Sequence, residues 1–366
     1  MNTLRSLILP PLGAIYGGVT RARLAAYRRG WLSVSKLPVP VISVGNLTTG
    51  GTGKTPLVEW VCHAIAGGRE LAGDRENNPQ PETRKRICVL TRGYGRPDGQ
   101  SQVVVSDGKQ LLASVDKSGD EPYLLAKNLM GIAAVVCNPN RYAAGEWAIR
   151  NLGSEVFVLD DGFQHLELAR NLDIVAIDAT NPWGNGKLLP YGRLREPRRG
   201  LSRAHCAVIT RTDQAERVAD IQQIVSQFVG SGNVFLSRMV TTGLLSLDGK
   251  TVDRESLRAL PVAAFCGVGN PRSFFTQLKN EGFQITLTRA FADHHHYSQT
   301  DINHLLTDAT SNGAQLLLTT AKDATKLAGL EIKLPCYVLD VQIEIADDGR
   351  LVELLQNACD GKSAAR

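Results

Sequence analysis

Residues 44–56, VGNLTTGGTGKTP, connect a strand-like run, PVISVG, to a helix-like run, PLVEWVCHAIA. A glycine-rich loop that ends in Lys-Thr between a strand and a helix is typical of a phosphate-binding loop (P-loop), whose backbone N–H groups surround nucleotide phosphates. The general pattern is G-x-x-x-x-G-K-[ST], and Thr48 stands here in place of its first glycine. We therefore expect an altered turn at the start of the loop. The alternative is a plain glycine-rich turn with no ligand.

The P-loop interpretation predicts a site for ATP and Mg²⁺. Its glycines let the backbone approach the phosphates, Lys54 reaches the β- and γ-phosphates, and the Thr55 hydroxyl binds the metal. Pro56 suits the first turn of the following helix, where a missing N–H costs nothing. The residues predicted to bind the nucleotide are Thr48, Gly50, Gly51, Thr52, Gly53, Lys54 and Thr55.

Outward from the loop, short apolar runs alternate with stretches of helical length. Strands are expected at 39–45, 86–91, 132–137, 155–160, 173–178 and 206–210. Such alternation predicts a parallel sheet with helices on both faces, as in P-loop NTPases. After about residue 230 a strand-rich connector leads to further apolar runs at 261–269, 283–291, 314–320 and 336–341. We expect a nucleotide-binding domain at 36–230, a β linker at 231–255 and a smaller α/β domain at 256–366.

Composition and charge indicate a globular protein with a distinctive start. Of the 366 residues 43% are hydrophobic and 21% charged, and the seven dispersed cysteines include no C-x-x-C pair, which favours buried free thiols over disulfides or a zinc site. The net charge is +5, yet no acidic residue precedes Glu59. Residues 1–35 are apolar and then basic, with an apolar run too short to span a bilayer. They suit either an anionic membrane surface or a core-docking helix with a basic face.

An acidic residue at the end of a buried strand is expected to help hold the metal opposite a P-loop. Residues 155–165, EVFVLDDGFQH, supply Asp160 and Asp161 directly after a buried-strand pattern. If the strand continues through both residues, their side chains point to opposite faces, so the two carboxylates should have different roles. We predict that one holds Mg²⁺ or its water and that the other orients loop groups or the acceptor. The alternative for either residue is a cap of the following turn.

Phosphoryl transfer to a hydroxyl benefits from a carboxylate or histidine near the incoming oxygen. Residues 117–126, KSGDEPYLLA, place Asp120 before a helix, and residues 291–298, FADHHHYS, place Asp293 before three consecutive histidines. An Asp–His pair from these stretches would deprotonate the acceptor. The alternatives are a helix N-cap for Asp120 and a metal site or an exposed turn for the histidines.

An arginine cluster within residues 181–203 includes Arg195 beside Glu196. Guanidinium groups bind phosphates through two parallel hydrogen bonds, which makes Arg195 a candidate for substrate binding. The cluster is not interleaved with aromatic residues and the chain lacks a broad basic stripe, so we expect no nucleic-acid partner.

These motifs together resemble the tetraacyldisaccharide 4′-kinase family of the lipid A pathway. The match covers most of the chain in the same order, and this family's own loop accommodates Thr48. Besides the P-loop stretch, the matching motifs are LTRGYGR (90–96), GDEP (119–122), NPNR (138–141), LDDGFQH (159–165), GNGKLLPYGRLREP (184–197), FCGVGNP (265–271), FADHHHY (291–297) and TTAKDATKL (319–327).

The resemblance implies a function, a location and a set of site residues. The function is ATP-dependent phosphorylation of the 4′-hydroxyl of a tetraacyldisaccharide 1-phosphate, by a peripheral protein on the cytoplasmic face of the inner membrane with residues 1–35 in contact with lipid. Asp120 and His294 correspond to an Asp–His base, although three consecutive histidines leave the partner of Asp120 open. Further substrate candidates are Arg92, Tyr94, Asn138 and Arg141, and Glu196 is a candidate for the metal shell.

Two other classes of function remain open from the residues alone. A GTPase-like switch would need a guanine-recognition motif, and TAKD (320–323), with Lys322 and Asp323, resembles one only with the wrong spacing. A soluble small-molecule kinase or ligase would not need an apolar and basic start. Nucleotide preference tests the first alternative, and removal of residues 1–30 tests the second.

Overall fold

The computed structural model describes residues 2–67, 85–93, 96 and 98–362, with side chains from residue 9 onward. Residues 68–84, most of the polar stretch GGRELAGDRENNPQPETRKR, lie outside these ranges. The helices are α1 (Asn2–Arg28), α2 (Lys54–Ile65), α3 (Val115–Ser118), α4 (Asp120–Asn128), α5 (Arg141–Leu152), α6 (Val218–Val229), α7 (Arg254–Arg258), α8 (Pro271–Asn280), α9 (Gln299–Ser311), α10 (Ala321–Ala324) and α11 (Gly349–Cys359). The strands are β1 (Val41–Asn46), β2 (Ile87–Thr91), β3 (Val103–Ser106), β4 (Ala133–Cys137), β5 (Val156–Asp160), β6 (Leu172–Asp178), β7 (Cys206–Thr210), β8 (Val234–Ser246), β9 (Thr251–Val252), β10 (Pro261–Cys266), β11 (Gln284–Ala290), β12 (Leu316–Thr320) and β13 (Cys336–Ile345).

In the described part of the chain, thirteen strands form one sheet in the order β11-β10-β12-β13-β8-β7-β6-β1-β5-β2-β4-β3, with β9 paired to β8. The strands from β7 to β4 in this order are parallel, and β3 is an antiparallel edge. A second parallel group comprises β11, β10, β12 and β13. This large, mostly parallel sheet confirms the predicted α/β class.

Helices cover both faces because alternate strand residues point to opposite sides. In β1, Ile42 and Val44 pack in a buried cluster with residues of α2 and α11, whereas Val41 packs in another cluster with residues of α5. Strands buried on both faces are apolar almost throughout, which is why they could be predicted from sequence. The seven cysteines are free thiols, as expected, and all except the half-buried Cys359 are buried.

Strand β8 joins the two groups of strands into a single sheet. It begins parallel to β7, with Val234 opposite Ala207, and continues antiparallel to β13 from Ser237 to Ser246. We refer to β1–β7 with their helices as the N-terminal half and to β8–β13 as the C-terminal half. The domain boundaries at 36–230, 231–255 and 256–366 stay a prediction.

The order of the strands places a crevice at the carboxyl end of β1. This strand lies between β5 and β6, and the chain extends the sheet first on the β5 side and then on the β6 side. Parallel α/β sheets bind ligands where the order reverses in this way, outside the carboxyl ends of the strands. The P-loop follows β1 and therefore lies in this crevice.

Helix α1 packs small residues against the protein and leaves apolar side chains exposed. Gly17 lies so close to Leu188 that an added Cβ would come within 2.6 Å of its side chain. Leu12, Ile15 and Val19 are 42%, 63% and 63% exposed. Over the ranges that the structure describes, no helix combines the length and the apolar character needed to cross a membrane.

Candidate active site

The turn of the P-loop is held by Asn46, the last residue of β1. Its Nδ2 donates hydrogen bonds to the Thr48 carbonyl at 2.6 Å and to Thr52 Oγ1 at 2.8 Å. Gly53 caps α2 with φ of 78°. Because left-handed backbone costs roughly 1–2 kcal/mol for a residue with a Cβ, this position requires glycine. Helix α2 then begins at Lys54, and the unpaired N–H groups of its first turn face the loop.

Thr48 takes the place of a glycine because its backbone pairs with a neighbouring segment. It forms an antiparallel bridge with Leu194, and the next residue, Thr49, donates its N–H to the Arg193 carbonyl at 2.8 Å. The backbone of Thr48 has no positive φ. An extended residue with a side chain therefore fits here, and the altered start of the loop is explained by the GNGKLLPYGRLREP segment.

Arg211 connects the P-loop to the end of β6, a role that was not predicted from the sequence. Its Nη1 donates to the Gly51 carbonyl at 2.8 Å and to Asp178 Oδ2 at 2.6 Å. Thr210, the last residue of β7, donates through Oγ1 to the Thr52 carbonyl at 3.0 Å. The acid that ends the DIVAID run was the available signal, because a strand-end acid in such a sheet lies at the ligand-binding edge.

A cavity of about 630 Å³ lies between the P-loop and the start of α8. A Cβ added to Gly269 would come within 2.3 Å of the backbone nitrogen of Gly51, so the two halves of the sheet contact each other beside the loop. Asn270 donates through Nδ2 to Asp178 Oδ2 at 2.9 Å and caps α8. The cavity is lined by residues 48–52, 178, 180, 181, 193, 214, 269–273 and 276. Its volume lies in the range of small-molecule sites.

Asp161 lies between two cations. Lys54 Nζ is 3.5 Å from its Oδ1, and Arg195 Nη1 is 2.8 and 2.7 Å from its two oxygens. Burial by itself would raise the pKa of Asp161, but Lys54 and Arg195 lower it to about 2. This carboxylate is therefore ionised at neutral pH and orients the P-loop lysine.

Asp160, the last residue of β5, carries the opposite pKa shift. It is 5% exposed and accepts a hydrogen bond from Thr91 Oγ1 at 3.0 Å. Burial, with the charges of Glu121 and Asp161, raises its pKa to about 6. A bound cation would relieve this excess of negative charge.

The donor set at this edge fits Mg²⁺. Thr55, Asp160 and Asp161 offer hydroxyl and carboxylate oxygens, the ligands that Mg²⁺ prefers. Within the described ranges, no group of three or more His, Cys, Asp or Glu side chains is arranged to hold a metal unaided. Magnesium sites of nucleotide-binding proteins take their other ligands from water and from the substrate phosphates.

The structure places Glu196, the other predicted metal ligand, in a buried ion pair. Its side chain is 1% exposed and accepts from Arg203 Nη1 at 2.6 Å and Nη2 at 2.9 Å. Gln164 Nε2 donates to the same carboxylate at 2.8 Å and to the Asn46 carbonyl at 2.9 Å. Glu196 thus supports the base of the P-loop through Gln164, and its contribution to the metal shell stays a prediction.

Asp120 and His294, from the two halves of the sheet, meet side by side. Nδ1 of His294 lies 3.1 Å from both carboxylate oxygens of Asp120, which is 7% exposed. Burial opposes ionisation, but the hydrogen bond from His294 and the charges of Lys322 and Lys326 hold the pKa of Asp120 well below its usual range. The same hydrogen bond raises the pKa of His294. Gly119, not Asp120, is the N-cap of α4.

The three consecutive histidines point in different directions. Only His294 of the three contacts Asp120, and its φ of 60° marks a sharp turn of the backbone. His295 stacks on Phe291, with ring centroids 4.7 Å apart. His296 is exposed.

Three other predicted substrate residues lie at the same edge of the sheet. Arg141 is 4% exposed at the start of α5. Burial lowers its pKa, and the charges of Asp160 and Asp161 partly oppose this shift. Asn138 follows β4, and Arg92 is exposed just after β2. Tyr94 lies outside the described residues. Their contacts with a substrate, like that of Arg195, stay predictions.

Known proteins of one family match nearly the whole length of this chain. A sequence profile of the family described as tetraacyldisaccharide-1-P 4′-kinase matches residues 5–360. The tetraacyldisaccharide 4′-kinase of Syntrophotalea carbinolica is 38% identical over 348 residues, which cover 95% of this chain and 90% of that protein. The protein of the same name from Geobacter sulfurreducens is 37% identical over 350 residues, covering 95% and 92%. The "apo" form of LpxK from Aquifex aeolicus, solved in complex with ATP, superposes with a TM-score of 0.75 at 33% identity and covers 97% of this chain and 99% of that one.

Proposed function

Because the chain belongs to the tetraacyldisaccharide-1-P 4′-kinase family, we propose that it transfers the γ-phosphoryl group of ATP to the 4′-hydroxyl of the acylated disaccharide at the edge where the P-loop meets Asp120. The predicted kinase activity, with ATP and Mg²⁺ as cofactors, is confirmed by that membership. The observation that supports this position of the transfer site is that Asp120 lies near the P-loop edge of the sheet. Glu121 adjoins Asp120 and is close enough to Asp160 for its charge to raise the pKa of that carboxyl.

The P-loop side supplies the positive charge that the transfer requires. ATP is expected in the cavity with its phosphates against residues 50–55, where backbone N–H groups, Lys54 and the start of α2 favour anions. When Mg²⁺ is bound, it neutralises charge on the phosphates. Lys54 is oriented by Asp161 at 3.5 Å, and this fixed geometry stabilises charge that develops in the transition state.

Asp120 is the group that we assign to the incoming hydroxyl. Its pKa lies well below the usual range, so it is an ionised acceptor at neutral pH. The transferred phosphoryl group passes through a loose transition state, so the hydroxyl needs orientation more than a strong base. A carboxylate fixed by His294 at 3.1 Å both orients the hydroxyl and accepts its proton.

The substrate candidates match the chemistry of an anionic disaccharide. Arg92 and Arg141 bring guanidinium groups to the carboxyl edge of the sheet, and Asn138 lies between them in the chain. Guanidinium groups suit the 1-phosphate, and an amide suits sugar hydroxyls. Tyr94 and Arg195 complete the proposed set.

Helix α1 is the proposed contact with the membrane. Its exposed Leu12, Ile15 and Val19 follow helical spacing, and Arg21 and Arg23 come directly after them. An apolar stripe with adjacent cations suits the interface of an anionic bilayer. This supports peripheral binding, and we place the chain on the cytoplasmic face of the inner membrane, where ATP and an acylated substrate meet.

Transfer of label from γ-labelled ATP to a tetraacyldisaccharide 1-phosphate in detergent micelles tests the proposal. The expected result is labelled lipid with ATP and far less with γ-labelled GTP. A chain that binds ATP without labelling the lipid would overturn the assigned acceptor. Efficient use of GTP would instead favour the switch-like alternative.

A further inference from the structure

Lys322 faces Nε2, the ring nitrogen of His294 that does not contact Asp120, and its Nζ lies 4.0 Å from Asp120 Oδ2, beyond hydrogen-bond distance. It lies at the start of α10, and its side chain is 13% exposed. Its Nζ is 2.9 Å from Glu121 Oε1, 3.2 Å from Asp293 Oδ1 and 3.2 Å from His294 Nε2. An ammonium group has three N–H donors and no acceptor. The three neighbours therefore match its three donors.

The contact with Nε2 decides which ring nitrogen carries the proton. Because an ammonium cannot accept a hydrogen bond, Nε2 engages Lys322 only through its own lone pair. The proton of the neutral ring is then on Nδ1, between the two oxygens of Asp120. The carboxylates of Glu121 and Asp293 are 3.8 and 3.9 Å from Nε2, too far to accept a hydrogen bond from it.

We propose that Lys322 is a positioning residue of the transfer site: its ammonium donates to Nε2 of His294 and keeps the ring proton on Nδ1, against Asp120. The catalytic meaning of this inference rests on the proposed function. With the ring held in this tautomer, neither ring nitrogen is able to accept the proton of the acceptor hydroxyl. Asp120, rather than His294, then receives the hydroxyl proton.

Asp323 fixes the position of Lys322. It is 0% exposed, and its Oδ2 accepts from the Gly267 N–H at 3.0 Å and the Thr320 hydroxyl at 2.7 Å. Its Oδ1 accepts from the Tyr297 hydroxyl at 3.0 Å. These bonds join the loops after β10, β11 and β12. A buried hydrogen-bond network therefore holds Lys322 next to the loop that carries His294.

The charged groups around His294 act in opposite directions. Asp120 and Glu121 from α4 and Asp293 from its own loop favour the protonated ring, whereas Lys322 opposes it. Lys326 also faces the site, 3.6 Å from Asp120, so it acts on the ring through that carboxylate. Loss of the Lys322 charge should therefore favour a second proton on His294.

Nitrogen NMR of the full chain labelled with ¹⁵N-histidine tests this assignment, with the His294 signals identified by their loss in His294→Ala. In the wild type we expect the neutral ring protonated on Nδ1. In Lys322→Met the pKa of His294 should rise by about one unit or more, because the ammonium group that lies 3.2 Å from Nε2 no longer opposes a second proton on the ring. Lys322→Arg, which retains the charge, should leave the pKa of His294 within about half a unit of the wild type.

The outcomes separate this inference from the proposed function. A wild-type ring protonated on Nε2, or an unchanged titration of His294 in Lys322→Met, would overturn the role of Lys322. The wild-type spectrum gives this answer even if Lys322→Met does not fold. An absence of transfer to the lipid in the wild type, with the tautomer and the titration as expected, would uphold Lys322 and overturn the proposed function.

Discussion

Replacing Arg203 with methionine removes the cation that neutralises Glu196, whose side chain is 1% exposed. The change deletes two hydrogen bonds to Glu196, at 2.6 and 2.9 Å, and one to the Phe163 carbonyl at 3.4 Å. The 2.8 Å bond from Gln164 then remains as the support of the Glu196 carboxylate. The change also removes a guanidinium that lies 4.4 Å from the centroid of the Phe163 ring. Breaking a buried pair by removing one partner costs roughly 3–5 kcal/mol, a large part of the roughly 5–15 kcal/mol that stabilises a typical protein. We therefore expect Arg203→Met to lower the free energy of unfolding by roughly 3–5 kcal/mol.

Urea unfolding at pH 7, followed by fluorescence, measures this loss. Arg217→Met is the matched control, because Arg217 pairs with Asp220 while their side chains are 83% and 50% exposed. That change should stay within about 0.5 kcal/mol. The double variant Arg203→Met with Glu196→Leu should recover most of the loss, because it removes the uncompensated charge. A loss below about 1 kcal/mol in Arg203→Met would contradict the ion pair and make Glu196 available to the metal shell.

Three further changes test other parts of the site. Lys54→Ala should lower kcat/KM by about 10²–10³-fold or more in the labelled-lipid assay, a loss of several kcal/mol of transition-state stabilisation. A loss below tenfold would count against contact between Lys54 and the transferred phosphoryl group. Asp160 has a folded pKa of about 6, above its unfolded value of about 3.9, so its ionisation destabilises the fold as pH rises through this window. Asp160→Asn should therefore raise the free energy of unfolding of the nucleotide-free chain by roughly 1–3 kcal/mol above pH 6 and change it little below pH 4. Mg²⁺-dependent transfer should fall in the same variant. An equal change in the free energy of unfolding at both pH values would exclude ionisation of Asp160 as its cause. Ile15→Ser with Val19→Ser should weaken flotation with anionic vesicles and leave unfolding unchanged, and full flotation would remove α1 as the membrane contact.

Much of the fold could be predicted because its strands are buried on both faces. The run RICVLT became β2 at Ile87–Thr91, and DIVAID became β6 at Leu172–Asp178. The loop between β1 and α2 was equally predictable, since Gly53 needs a positive φ and Lys54 begins a helix after it. Local chemistry thus determined these elements.

Features that depend on distant contacts could not be predicted in the same way. Thr48 departs from the general P-loop pattern because it pairs with Leu194, far along the chain. Nothing local to Arg211 or Lys322 indicates that one binds the P-loop carbonyl and the other His294. Three consecutive histidines were likewise indistinguishable until the fold brought His294 alone to Asp120. These contacts arise from the order of strands in the sheet, which hydrophobic periodicity does not encode.

The role of Asp120 as acceptor of the 4′-hydroxyl proton is the central claim. The most direct test is the single-turnover rate of phosphoryl transfer in Asp120→Asn beside the wild type, with ATP affinity measured on the same samples. The account predicts a rate lower by roughly 10²–10⁴-fold with ATP affinity nearly unchanged, because the amide retains the shape of the carboxylate and cannot take the proton. A rate within about threefold of the wild type would contradict it and leave Asp120 as a structural partner of His294.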